Sequence, residues 1–232
     1  MTAHYPIDDE GRLELPMITL FMYSGGKDSK FTVKVLKHNM SLIKFGAVLL
    51  VTDDINTPDI EGVKIIIVEQ ATFNDYQKFV VFKLKDYVTT PFVLISHTDG
   101  FVLHSNKWQW RFLDYDYIGA PWPSWVHLRG ERCGNGGFNL RSKKFIEWSA
   151  TTSFDPNSIL DETKNEDQYL ICFKKEERIK LGITIAPLDC AKDFSIEHSI
   201  SEYPRTYSDC FGFHQPPRFF PEVKKMIDNV IK

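Results

Sequence analysis

The chain lacks a basic run. Its 28 lysines and arginines are scattered along 232 residues and outnumbered by 31 aspartates and glutamates, for a formal net charge of -3. A duplex-DNA or RNA surface needs clustered cations to displace counterions, so no nucleic-acid partner is expected. Long apolar stretches are missing as well. No run reaches the roughly 20 residues that cross a bilayer. The opening MTAHYPIDDEGRLELP has neither a basic n-region nor the apolar core of an export signal. Paired cysteines are absent: Cys133, Cys172, Cys190 and Cys210 lie far apart with no CxxC among them. That pattern reads as four reduced thiols of a soluble, cytoplasmic protein. No internal repeat or low-complexity linker divides the chain, so its length fits a single domain.

What is present is the material of an α/β core, with hydrophobic residues at 43% and charged residues at 25%. Residues 1–15 read as a polar lead-in. MITLFMY (17–23) is a short apolar run suited to a buried strand, and AVLLVTDD (47–54) and VKIIIVE (63–69) are two more. Between them, SKFTVKVLKHNMSL places Phe31, Val35, Leu36 and Leu42 on one helical face. YQKFVVFKLKDYV repeats that spacing with Tyr76, Phe79, Val80, Leu84 and Tyr87, and PFVLISHTDGFVL reads as strand, polar tip and short strand. The alternation predicts a Rossmann-like domain with a mostly parallel central sheet and flanking helices. Ligands of such sheets sit beyond the carboxyl ends of the strands, so the polar tips after Tyr23, after Thr52 and at His97–Asp99 are expected to share one crevice. Residues 16–105 form the nucleotide side of this reading and 106–232 the acceptor side.

Several short motifs carry chemistry, each beside a plainer alternative. SGGKDS (24–29) has the glycines and the helix start of a phosphate-binding loop, and taken alone matches the ATP pyrophosphatases that adenylate their substrates. No later motif for handling ATP accompanies it. In SHTDGFVL, Asp99 at a strand tip is placed to hold a divalent cation against a diphosphate, or simply to close an Asp-Gly turn. CGNGGFNLRS lets backbone approach a ligand closely, or makes a tight turn. Glu166 and Asp167 in NEDQYL are either a solvated first helical turn or a base for an acceptor hydroxyl. His214 in CFGFHQPP is either packed or a late metal ligand, and the tryptophans of 108–125, Trp122 among them, are core, rim or a sugar-stacking platform.

In order, IKFGAVLLVTDD, TDGFVL, FLDYDYIGAPWP, GNGGFNLRSKKF, NEDQYLICF, APLDCAKDFSIE and FGFH resemble a family of GT-A-like glycosyltransferases catalogued as a domain of unknown function and found in bacterial polysaccharide loci and elsewhere. The resemblance runs from about Leu15 to Phe220. It implies a GT-A-like fold that transfers a sugar from a nucleotide-sugar donor, a UDP-sugar above all, to a hydroxyl of a glycan or polysaccharide acceptor. The SGGKDS glycines would then serve a nucleotide sugar and not ATP. The resemblance implies a donor site of Tyr23, Ser24, Asp53, Asp54, His97, Asp99, Gly136 and Gly137. Trp122, Asn135 and Phe138 would shape the sugar and acceptor pocket. Asp99 and His214 would hold Mn²⁺ or Mg²⁺, and Glu166 or Asp167 would act as base in an inverting reaction.

One departure stands out. GT-A enzymes carry a DxD motif, and the position two before Asp99 is His97, so the cation site has one carboxylate fewer. Weak cation binding, and a non-catalytic domain that only binds a nucleotide sugar, are both consistent with that loss.

Overall fold

The computed structural model describes residues 6–25, 29–124, 130–158, 165–198 and 200–214. The first half runs β1 (Leu13–Ser24), α1 (Ser29–Leu42), β2 (Ile43–Thr52), β3 (Val63–Ile67), α2 (Phe73–Lys78) and β4 (Phe92–Ser96). The sheet starts at Leu13, ahead of the apolar run and inside the polar lead-in, because Leu13 and Leu15 are buried and pair with Ile43 and Phe45. Helix α2 opens on a capping box, in which the Thr72 hydroxyl takes the Asp75 N–H and the Asp75 carboxylate takes the Thr72 N–H. It runs on through a π-helical turn, Phe79–Lys83, and a 3₁₀ turn, Leu84–Asp86.

The second half adds β5 (Tyr117–Ile118), β6 (Ala120–Pro121), β7 (Cys133–Gly134), β8 (Phe138–Ser142), α3 (Lys143–Ser149), α4 (Glu166–Gln168), α5 (Lys175–Lys180), α6 (Leu188–Phe194), β9 (Ser195–Ile196) and β10 (Gly212–Phe213). Among the described residues, six strands form the main sheet in the order β3-β2-β1-β4-β8-β5. The first four are mutually parallel, while β8 runs antiparallel to both its neighbours. This is the mostly parallel α/β sheet expected.

Both faces of the sheet are covered, as period-2 alternation of apolar side chains requires. Leu20, Met22, Val48, Leu50 and Leu94 point into one cluster, with Trp108, Phe112 and Phe194. Phe21, Leu49, Val51, Val93 and Ile95 point into the other, with Phe79, Val80 and Leu84 from the turns after α2. All four cysteines are free and buried, and no helix among the described residues is long and apolar enough to cross a membrane.

The reversed β8 is what builds the site. Its first residue, Phe138, pairs with Ser96, the last residue of β4. The glycine-rich turn before β8 is thereby delivered to the carboxyl end of β4, beside the His97–Gly100 turn.

Candidate active site

A cavity of about 520 Å³ lies at this carboxyl edge, lined by Tyr76, His97, Asp99, Trp122, Asn135, Gly136, Gly137, Glu166, Asp167, Glu197 and His214 among others. A smaller one of about 170 Å³ adjoins it, shares Phe73, Tyr76, His97 and Asp99, and adds Tyr23, Gly25, Thr72 and Thr98.

The His97–Gly100 turn is braced from behind. The Asn39 amide of α1 donates to the Ser96 hydroxyl (3.0 Å) and its carbonyl accepts from Val102 N–H (3.0 Å), while Ser96 Oγ donates to Gly100 O (2.7 Å). The His97 N–H reaches Gly137 O at 2.9 Å, tying this turn to the glycine loop. The His97 ring sits edge-on to Tyr76, centroids 4.7 Å apart, and its Nε2 is buried with no hydrogen-bond partner. Burial, reinforced by the neighbouring His214, pulls its pKa down to about 4, so the ring is neutral with a lone pair to offer.

His214 follows β10 and stands over Gly137, where a Cβ would collide with the imidazole Nε2. Its Nε2 is 3.7 Å from Asp99 Oδ1 and its Nδ1 is 3.1 Å from Glu197 Oε1. Burial lowers the His214 pKa, but the Glu197 hydrogen bond and the charges of Glu197, Asp99 and Asp167 outweigh it and leave the pKa above the ordinary imidazole value. One ligand atom each from His97, Asp99 and His214 falls within 4.8 Å of the others. Two ring nitrogens and a half-exposed carboxylate thus lie close enough together to take a divalent cation.

The loop 134–137 forms the floor. Asn135 adopts φ 111°, a conformation few side chains accept. Its side-chain carbonyl takes the N–H groups of Gly137 (2.7 Å) and Phe138 (3.1 Å), which explains why asparagine holds that shape. The Asn135 carbonyl accepts from Tyr117 Oη (2.7 Å) and Asn139 Nδ2 (2.8 Å), and the Gly136 carbonyl from Tyr76 Oη (2.8 Å) and Asn139 Nδ2 (2.9 Å). The Trp122 ring lies on Gly134, leaving no room for a side chain there.

Opposite the histidines stand two adjacent carboxylates with different surroundings. Glu166 is 2% exposed and pairs at 3.0 Å with Arg141 Nη2, itself fully buried and held by Asn139 Oδ1 at 2.7 Å. The Glu166 N–H donates to Gln77 Oε1 at 2.9 Å. Asp167 instead opens on the cavity. It accepts N–H groups from Asn135 (3.1 Å) and Gln168 (2.8 Å), and burial plus the negative charge of Glu166 push its pKa up to about 7.

Nine of the expected residues thus share one cavity: His97, Asp99, Trp122, Asn135, Gly136, Gly137, Glu166, Asp167 and His214. Tyr23 lines the smaller cavity. Ser24 is buried and its hydroxyl takes that of Thr32 at 2.9 Å, so it secures the strand end and does not face either cavity. Asp53 accepts from Ala71 N–H (3.2 Å), and Asp54 from Ser29 Oγ (2.6 Å) and Asn56 N–H (3.0 Å); both support turns outside the two linings. Phe138 is fully buried behind the loop, stacked on Phe194. Of SGGKDS, residues 26–28 lie outside the described residues, as do the prolines after His214. Tyr76, Arg141 and Glu197 had no expected role. Their pairings cross 60, 25 and 17 residues, which no local pattern signals.

The family model described as "Protein of unknown function (DUF5672)" matches residues 62–214, well over half of the chain, and the chain belongs to that family. The fold is shared with solved glycosyltransferase structures of the GT-A type. The galactosyltransferase LgtC, solved with donor and acceptor sugar analogs, superposes with TM-score 0.55 at 12% identity, covering 91% of this chain and 94% of its own. A glycosyltransferase involved in glycosylation of the major capsid of PBCV-1 gives 0.53 at 13%, covering 92% and 100%. No curated protein matches in sequence.

Proposed function

We propose that this member of the family is a glycosyltransferase, moving a sugar from a nucleotide-sugar donor, a UDP-sugar by preference, to a hydroxyl of a glycan or polysaccharide in the cytoplasm. The observation that carries the reading is the single cavity that faces a His97–Asp99–His214 cluster with Asp167 across the loop 134–137.

His97, Asp99 and His214 would hold a divalent cation, and the mixed imidazole–carboxylate set suits Mn²⁺ better than Mg²⁺. Such a cation supplies positive charge against the departing diphosphate. The nucleoside end of the donor belongs in the smaller cavity, where Tyr23, Phe73 and Tyr76 offer aromatic surface. Asn135 and Trp122 line the larger one, where the sugar would sit.

In the reaction the bond from anomeric carbon to phosphate oxygen breaks and the acceptor oxygen bonds to that carbon. The acceptor proton passes to Asp167, whose pKa of about 7 suits a base working near neutrality. The N–H groups of Asn135 and Gln168 hold that carboxylate in orientation. Glu166, locked to Arg141, orients the start of α4.

The test is a thermal-shift panel of UDP, GDP, CDP, dTDP and ATP, each with and without Mn²⁺. A ligand at a hundred times its Kd adds about 2.7 kcal/mol of stability, an easily read shift. Stabilisation by one nucleoside diphosphate that requires Mn²⁺, with slow hydrolysis of the matching sugar donor lost in D167N, is the expected result. Stabilisation by ATP alone would return SGGKDS to its adenylating reading. Nucleotide binding with no donor turnover would leave a binding domain.

A further inference from the structure

We propose that Glu197 is a positioning residue for the cation site: its carboxylate receives the Nδ1 proton of His214 and so turns the Nε2 lone pair of that ring toward Asp99 and His97. The inference rests on the cation reading above.

The geometry points one way. A carboxylate oxygen only accepts, so the 3.1 Å contact between Glu197 Oε1 and His214 Nδ1 requires the proton to lie on Nδ1. In the neutral ring Nε2 is then bare, and it is this nitrogen that lies 3.7 Å from Asp99 Oδ1. The two ring nitrogens face opposite ways, which puts Glu197 behind His214 and outside the His97–Asp99–His214 cluster. Only 11% of each side chain is exposed, so few waters compete for the bond.

The backbone is arranged for the pair. Strands β9 and β10 are two residues each and parallel, with Phe213 opposite Ile196, and the His214 N–H donates to Ile196 O at 3.0 Å. This register places Glu197 and His214 side by side, one step beyond the strand ends. Gly137 completes the seat, since any side chain there would strike the ring. A ligating histidine whose other nitrogen is held by a carboxylate has its orientation and tautomer set in advance, and losing such a partner typically weakens metal binding 10–100-fold.

Mn²⁺ binding to the full chain, read by electron paramagnetic resonance with and without UDP, tests this in wild type, E197A, E197Q and H214A. The expected result is a 10–100-fold weaker Kd in E197A, a larger loss in H214A and substantial recovery in E197Q, whose amide oxygen still accepts from Nδ1. Side-chain ¹⁵N NMR of the metal-free wild type at alkaline pH should show His214 protonated on Nδ1, and E197A should move the proton toward Nε2. Equal Mn²⁺ affinity in wild type and E197A, or an Nε2-protonated His214 in wild type, overturns the inference and leaves the cation site standing. Failure of wild type to bind Mn²⁺ even with UDP overturns both.

Discussion

One wall of the cavity is built around Arg141 and Glu166, each at most 2% exposed, with the guanidinium also held by Asn139 and lying over the rings of Tyr117 and Phe145. The facing wall ends in Asp99, whose side chain is 47% exposed and whose nearest cationic contact is a histidine 3.7 Å away. Both walls carry charge in the same cavity, yet the first has buried its charges against each other and the second leaves the Asp99 carboxylate turned outward. The difference separates roles. A charge sealed inside holds the chain in shape, whereas a charge left half-solvated at a strand tip is available to something that arrives.

The sharpest way to break that contrast is to unpair the buried wall. E166A or R141A leaves an uncompensated charge in the interior and is expected to cost about 3–5 kcal/mol, seen as a lowered denaturant midpoint. A loss below about 1 kcal/mol would mean that the two walls differ less than their burial implies.

Asp167 sits between the two regimes, and D167N sharpens the comparison. The folded protein keeps a proton on Asp167 up to about pH 7, whereas the unfolded chain releases it near 3.8. Stability contributed by this group therefore falls as pH rises from about 4 through 7. The variant carries no such titration, so the difference in Tm between D167N and wild type should move in favour of the variant from pH 5 to pH 8, by about 5–10 °C. Turnover by wild type should climb through pH 7 over the same interval, and D167N should have none.

D99N has the smallest effect on the fold. Its stability should stay within about 0.5 kcal/mol of wild type, because that carboxylate is half-exposed. Mn²⁺-dependent stabilisation by nucleotide should disappear. A destabilised D99N with nucleotide binding intact would reverse the assignment of the two walls.

The strands of the first half were legible because each is a run of apolar residues closed by polar tips. For α1, the helical spacing followed from the residues. The helical stretch after Phe73 was visible as a period, but not its change to π and 3₁₀ turns, which depends on packing against α3 and the sheet. Strand β5 is two residues inside an aromatic run, too short to show any alternation. The reversal of β8, on which the whole site depends, leaves no mark in a sequence whose strand composition is the same in either direction. Of the site, the glycine loop and the acidic pair announced themselves by residue type. His97 was expected at the donor site but as the place of a missing carboxylate, and only the fold shows its ring nitrogen beside that of His214 and the carboxylate of Asp99.

The loop 134–137 touches both walls with residues two apart, Asn135 and Gly137. The Gly137 carbonyl takes the His97 N–H, Gly137 N–H is bound by the Asn135 side chain, and Asn135 N–H reaches Asp167. The interval between the place where a phosphate would leave and the place where a proton would go is therefore counted in peptide units, at about 3.8 Å for each step from one Cα to the next. Side chains on either wall can be exchanged without altering that count. An inserted or deleted residue would alter it, so under the proposed chemistry the loop would serve as a ruler.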